Sequence, residues 1–182
     1  MSQVYLLPGL LSAAECEEAI SFFPPPQTAA IVHKDTAAHQ VTPVRRSRAS
    51  FLVADSHEKQ ALVRKLIDVT THANDVYFKF AIAGHEALQL AEYNVGDGYG
   101  YDNHLDIGPG KASVRKLSVT VQLSAAGDYD GGDLELWKTD AADREQGTVI
   151  IFPSYLVHGV TPVTRGVRRS LVMWCIGTTP FR

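Results

Sequence analysis

Apolar residues recur at helical spacing in the first half of the chain and in short β-like runs in the second. Ser12 opens the stretch SAAECEEAISFF, with Glu15 three residues on, which is the pattern of a capping box. Ala13, Cys16, Ile20 and Phe23 then share one face, and Pro24, Pro25 and Pro26 must end the helix. A short strand is expected at Thr28–Val32. The polar segment Asp35–Arg48 reads as a loop, with His33 and His39 in or beside it. Its Arg45, Arg46 and Arg48 form a small basic cluster, read first as solvated charge and second as a substrate contact. A second helix is expected from Ser56 to about Phe78, with Leu62, Leu66, Val69 and His72 on one face; His57 and His72 read as ordinary helix residues.

From residue 88 the pattern changes. Leu88–Tyr93, Lys116–Leu123, Asp133–Trp137, Thr148–Phe152 and Val167–Ile176 are rich in Val, Ile, Leu and aromatics and are separated by Gly, Pro or Asp clusters. Short strands at close spacing predict an antiparallel sandwich or barrel, so the class is α+β, mainly β. The 182 residues show no linker and suit one domain, 1–182, with helical support over 1–87 and a strand core over 88–176. Trp137 and Trp174 read as core or pocket wall, and His85 as a surface turn residue.

Composition narrows the class. Seventeen basic against 20 acidic residues give a net charge of −3, which argues against a general nucleic-acid partner. No apolar run is long enough for a membrane span, and Pro8 with the early acidic residues speaks against a signal peptide. A cytoplasmic, reducing compartment is the default. Cys16 and Cys175 make neither a disulfide framework nor a zinc site. Nothing in the pattern fixes an oligomeric state.

Candidate chemistry sits in the strand half. In an extended segment His104 and Asp106 point to one face. Such a pair alone arises by chance. His158 follows an apolar strand and a Pro153-Ser154 turn. Arg165, Arg168 and Arg169 open the last strand, where alternation puts Arg168, Ser170, Val172 and Trp174 on one face and Arg169, Leu171 and Met173 on the other. A cation aimed inside a sheet structure must meet an anion. Two His and one carboxylate form the facial triad of non-haem Fe(II) oxygenases, with coordination positions left open. The acidic run Asp128–Asp133 lacks the ligand spacing of a calcium loop and reads as a hairpin turn.

The order YNVGDGYGYDNHLD (93–106), KLSVTVQL (116–123), YDGGDL (129–134), GTVIIFP (147–153) and HGVTPVTRGVRRS (158–170) resembles the Fe(II)/2-oxoglutarate-dependent dioxygenases, in their prolyl-4-hydroxylase-like branch. LLPGLLSAAECEEAI is similar to that family's N-terminal helix entry. The resemblance implies a double-stranded β-helix, or jelly roll, with N-terminal helices packed on one sheet. It implies Fe(II) held by His104, Asp106 and His158, and 2-oxoglutarate with its far carboxylate on Arg168 rather than on Arg165 or Arg169. Tyr93 matches a tyrosine lining the co-substrate pocket, Tyr101 the aromatic three before the first ligand, and Ser170 the serine that follows the basic residue. The family often has a tyrosine in the strand that here reads Val119-Thr-Val-Gln122, so another residue must help hold the oxoglutarate. The implied activity uses O2, with ascorbate as a candidate reductant, to hydroxylate an unactivated C–H. The Asp106 carboxylate leaves no vacancy for a halide, which favours hydroxylation over halogenation. A prolyl or other residue in a peptide or protein is the first substrate class. A free amino acid or small natural product is the alternative, and a non-catalytic ligand- or peptide-binding jelly-roll module is the alternative from another class.

Overall fold

Two helices cover one face of a large antiparallel sheet, and a smaller antiparallel sheet covers the other. The computed structural model describes residues 4–28, 45–95, 99–137 and 144–181. His33, His39, most of the expected strand at 28–32 and most of the expected loop at 35–48 lie outside the described residues.

Helix α1 runs over Ala13–Ser21. Its capping box forms as the sequence predicts: the Ser12 hydroxyl accepts from the Glu15 backbone, and the Glu15 carboxylate accepts from the Ser12 backbone at 2.8 Å. Helix α2 covers His57–Ala73 behind the N-cap Ser56, then widens into a π-helical turn, Asn74–Phe78. Lys79, at φ 60°, ends it.

The strands are β1 (Tyr5–Leu7), β2 (Gln27–Thr28), β3 (Arg45–Arg46), β4 (Arg48–Phe51), β5 (Gly84–His85), β6 (Gln89–Asn94) and β7 (Gly100–His104). They continue with β8 (Arg115–Gln122), β9 (Tyr129–Gly131), β10 (Leu134–Leu136), β11 (Val149–Pro153), β12 (His158–Val160) and β13 (Val163–Ile176). The larger sheet has the order β1-β11-β8-β13-β6-β4-β2, with β5 and β9 also pairing β13. The smaller sheet has the order β10-β12-β7-β3. All described pairings are antiparallel.

Alternation along β13 splits the molecule into two layers of side chains. Leu171, Met173 and Cys175 enter a core with Cys16, Ala19, Leu62 and Leu66 from the helices and Leu117, Val119, Val121, Val149 and Ile151 from the sheet. The opposite face joins Ala91, Tyr93, Ile150 and Phe152 to Leu134, Leu136 and Val160 of the smaller sheet. The site lies at one end of this second layer.

Three features depart from the sequence reading. Arg45–Arg46 is a strand rather than loop, and Arg48, the last residue of the expected loop, opens the strand Arg48–Phe51; with β1, β2 and β5 they make the first 87 residues more than helical cover. Runs of two to four mostly polar residues carry no periodic signal; pairing with β7 and β6 holds them. Asp128–Asp133 is not a hairpin turn. Tyr129–Gly131 pairs with β13, and Gly131 and Gly132, both at positive φ, carry the chain across to the smaller sheet. His85 is exposed, but it stands in a two-residue strand beside Cys175.

Candidate active site

His104 closes β7, and His158 opens β12 directly opposite it. Their ring centroids are 4.2 Å apart. Asp106 lies two residues past β7, where its backbone N–H donates to the Ser154 carbonyl at 3.0 Å. Its two carboxylate oxygens reach both imidazoles: Oδ1 is 3.8 Å from His104 Nε2, and Oδ2 is 3.4 Å from His158 Nε2. One ligand atom from each of the three residues lies within 4.8 Å of the others. The histidines belong to the smaller sheet, whereas Asp106 is anchored against the larger one by Ser118 of β8, whose hydroxyl donates to Oδ2 at 2.6 Å. The triad therefore straddles the two sheets.

Close approach of β7 and β12 makes this possible. A Cβ on Gly159 would sit 2.9 Å from the Tyr101 carbonyl oxygen and 2.8 Å from Asn103 Oδ1. Both imidazoles are oriented by backbone. His104 Nδ1 lies 2.8 Å from the Asp102 carbonyl, and His158 Nδ1 lies 2.9 Å from the Leu156 carbonyl. A carbonyl only accepts, so each Nδ1 carries the proton and each Nε2 turns its lone pair toward Asp106.

Burial, with the His158 charge next, pushes His104 down to about 4, so its ring is neutral at neutral pH. Burial works against ionisation of Asp106, but His158, Ser118 and His104 together hold it below the usual carboxylate range. Burial also opposes a charge on His158; Asp106 outweighs it and raises the pKa. One anion facing two Nε2 atoms in a buried space draws a cation, either a proton on His158 or a metal ion that all three groups can share. Two imidazoles and a carboxylate suit Fe(II), which would take the place of a proton on His158 Nε2, and the locked Nδ1 protons are the outer contacts a metal-ligating histidine needs.

The wall beyond the triad comes from the larger sheet. Tyr93, Arg168, Ser170, Thr120, Gln89 and Trp174 line the pocket. Arg168 pairs across the sheet with Tyr93 and lies 5.6 Å from its ring centroid. It is only 3% exposed, and no acidic side chain among the described residues forms an ion pair with it. Gly132 makes room for it: a Cβ there would meet Arg168 Cδ at 3.0 Å. Tyr101 stacks on His104 with ring centroids 3.5 Å apart, and the Arg45 guanidinium lies over the tyrosine ring, 5.5 Å from its centroid.

A family model described as the 2OG-Fe(II) oxygenase superfamily matches residues 88–176, which hold the triad and Arg168. These residues belong to this superfamily. Among curated relatives, a PKHD-type hydroxylase of Hyphomonas neptunium is 42% identical over 86 residues, covering 43% of this chain and 38% of the relative. A PKHD-type hydroxylase of Bordetella pertussis is 32% identical over 149 residues, covering 78% and 65%. The matched stretch thus spans less than two thirds of these relatives. Solved structures share the fold at low identity. A viral collagen prolyl hydroxylase of Paramecium Bursaria Chlorella virus-1 matches with a TM-score of 0.71 at 19% identity, covering 97% of each chain. A Trichoplax adhaerens prolyl hydroxylase in complex with a hypoxia inducible factor oxygen degradation domain peptide fragment matches with 0.71 at 19% identity, covering 96% and 83%. These oxygenase structures identify the two-sheet architecture as the jelly roll.

The structure brings the residues matched to the family's site to one pocket: His104, Asp106, His158, Arg168, Ser170, Tyr93 and Tyr101. Arg165 is not among them; it pairs with Asp130 on the surface, and Arg169 pairs with Glu92 on the helix-covered side. Trp174 is pocket wall as expected, but Trp137 is 58% exposed beyond the end of β10. Sequence reasoning missed Ser118, Thr120 and Gln89, and it read Arg45, which lines the pocket, first as solvated charge and only second as a substrate contact. Alternation along β8 carried the signal for two of them, because Ser118 and Thr120 are polar steps between core residues Leu117, Val119 and Val121.

Proposed function

We propose that this chain is an Fe(II)- and 2-oxoglutarate-dependent hydroxylase, with Fe(II) held by His104, Asp106 and His158. The observation that carries the reading is the coincidence of a triad whose Nε2 atoms converge on one buried carboxylate with a buried Arg168, in the same pocket, that has no ion-pair partner among the described residues. Bound iron would supply activation of O2 coupled to decarboxylation of the co-substrate. The residues do the rest. Asp102 and Leu156 carbonyls hold the imidazoles in the ligating tautomer. Arg168 offers a guanidinium fork to the far carboxylate of 2-oxoglutarate, with Tyr93 and Ser170 beside it. Thr120 takes the part left open by the missing strand tyrosine, since it faces the pocket at 8% exposure. Tyr101 packs the rim ligand His104, and Leu134, Phe152, Val160 and Val172 keep the wall apolar and dry.

The favoured substrate is a prolyl or other residue in a peptide or protein. Support comes from the PKHD-type and prolyl hydroxylase likenesses and from the peptide held by the Trichoplax protein. One observation favours a second reading, a free amino acid or small acid. Arg45 lines the pocket, uses its Nε on Ser47 at 2.7 Å, and shows no carboxylate partner for its two terminal nitrogens among the described residues. A substrate carboxylate would fit that fork.

Anaerobic calorimetry tests the function. We expect 2-oxoglutarate to bind wild type only with Fe(II) present, and His158→Ala and Arg168→Ala each to lose that binding. A folded, iron-loaded wild type that binds no 2-oxoglutarate would leave a ligand-binding jelly roll as the better account.

A further inference from the structure

The carboxylate of Asp106 is not symmetric in its surroundings. Oδ2 accepts a 2.6 Å hydrogen bond from Ser118, whereas no hydrogen bond reaches Oδ1 among the described residues. A hydroxyl has one proton to give. Ser118 gives its own to Asp106, so the 3.0 Å contact between Ser118 Oγ and Ser154 Oγ must have Ser154 as donor. That second bond polarises the first and strengthens it. Ser118 and Ser154 are 1% and 0% exposed, so water does not compete.

The backbone of Asp106 is pinned as well. Its N–H donates to the Ser154 carbonyl, and its carbonyl accepts from Arg115 Nη1 at 3.2 Å. Arg115 is itself fixed by a two-pronged pair with Glu86, at 2.6 and 2.7 Å, and by the Trp174 ring at 3.9 Å. With backbone and one oxygen held, the carboxylate has little freedom to swing.

A carboxylate binds a metal through one oxygen or through two, and the second mode fills one more coordination position. An oxygenase triad works because positions stay open. We propose that Ser118 is a positioning residue that keeps Asp106 a one-oxygen ligand: it occupies Oδ2, leaves Oδ1 to the metal and so keeps one coordination position from closing. The inference rests on the metal reading of the triad above.

Mn(II), which is insensitive to oxygen, is the probe, and water-proton relaxivity per bound ion counts its exchangeable waters. Wild type, Ser118→Thr and Ser118→Ala are compared, with circular dichroism to confirm folding. Ser118→Thr, which keeps the hydroxyl, should match wild type. Ser118→Ala should still bind Mn(II) and show relaxivity lower by one water. Unchanged relaxivity in Ser118→Ala overturns the proposal, and so does loss of metal binding by a folded variant, which would make Ser118 a charge-stabilising partner only. Should Ser118→Ala not fold, Ser118→Cys, nearly the same size with a weak donor, carries the same two outcomes. A wild type that binds no Mn(II) would instead sink the metal reading itself.

Discussion

Arg168 shows how much one residue depends on its neighbours. It is a buried cation that lies 5.6 Å from the Tyr93 ring centroid and has no acidic ion-pair partner among the described residues. Burying a charge without a partner is costly, so its place makes sense as an anion site. Arg168→Gln should weaken 2-oxoglutarate binding by about 1.5–3 kcal/mol, on the order of 10- to 100-fold, while leaving Fe(II) affinity intact. Separate titrations of metal and co-substrate check both halves. Gly132 gives a subtler route to the same effect. It sits at φ +65°, and a methyl there would press on Arg168 Cδ and, at 2.8 Å, on Val163 Cγ2. Gly132→Ala should raise the KM for 2-oxoglutarate without touching the iron ligands, and equal losses in both bindings would contradict the geometry.

At the scale of elements, β7 and β12 are the sensitive pair. Gly159→Ala drives a methyl into backbone at 2.9 Å, which β7 can relieve only by moving away, at a cost of about 1–3 kcal/mol. His104 and His158 would part with it, so this variant should lose Fe(II) affinity even though no ligand has changed. Helix α1 offers a pH test. The Lys65 ion pair, with Ser12 next, holds Glu15 down to about 2 from its ordinary 4.5. A carboxyl with a depressed folded pKa stabilises fully above 4.5 and loses that contribution as pH falls toward 2. Glu15→Ala should therefore cost about 1 kcal/mol at neutral pH, mostly through the capping box, with only tenths from the exposed pair. That difference should shrink at pH 3 in denaturant titrations. The same elements show what the sequence exposes. α1 was legible because a cap, a periodic face and three prolines all agree. β8, β11 and β13 were legible because their cores are apolar. β3 and β4 were not, because pairing partners rather than their own residues make them strands. Asp128–Asp133 misled because a double glycine turn between sheets and a hairpin share a composition.

For the whole molecule, the triad was readable before the fold was, since two histidines and a carboxylate in the right order carry the chemistry themselves. The geometry that serves them was not: Ser118 acquires meaning only once β8 is laid beside the ligand strands, and β3 decides between the two readings of Arg45 by placing it at the pocket. Because the histidines ride on one sheet and Asp106 is moored to the other, a bound metal ties the layers together. Saturating metal at 100 times its Kd should add about 2.7 kcal/mol and raise Tm by roughly 5–10 °C. A chelator should reverse the gain, and hydrogen exchange should then rise in β7 and β12 before β8 and β13.

That bridge has a consequence for a cell short of iron. A rivet that is missing leaves a looser joint, and loose joints are what proteases find first. Empty copies would be cleared faster than filled ones, so the surviving pool would be enriched in loaded protein. Scarcity of metal would then be read out as fewer molecules rather than as idle ones.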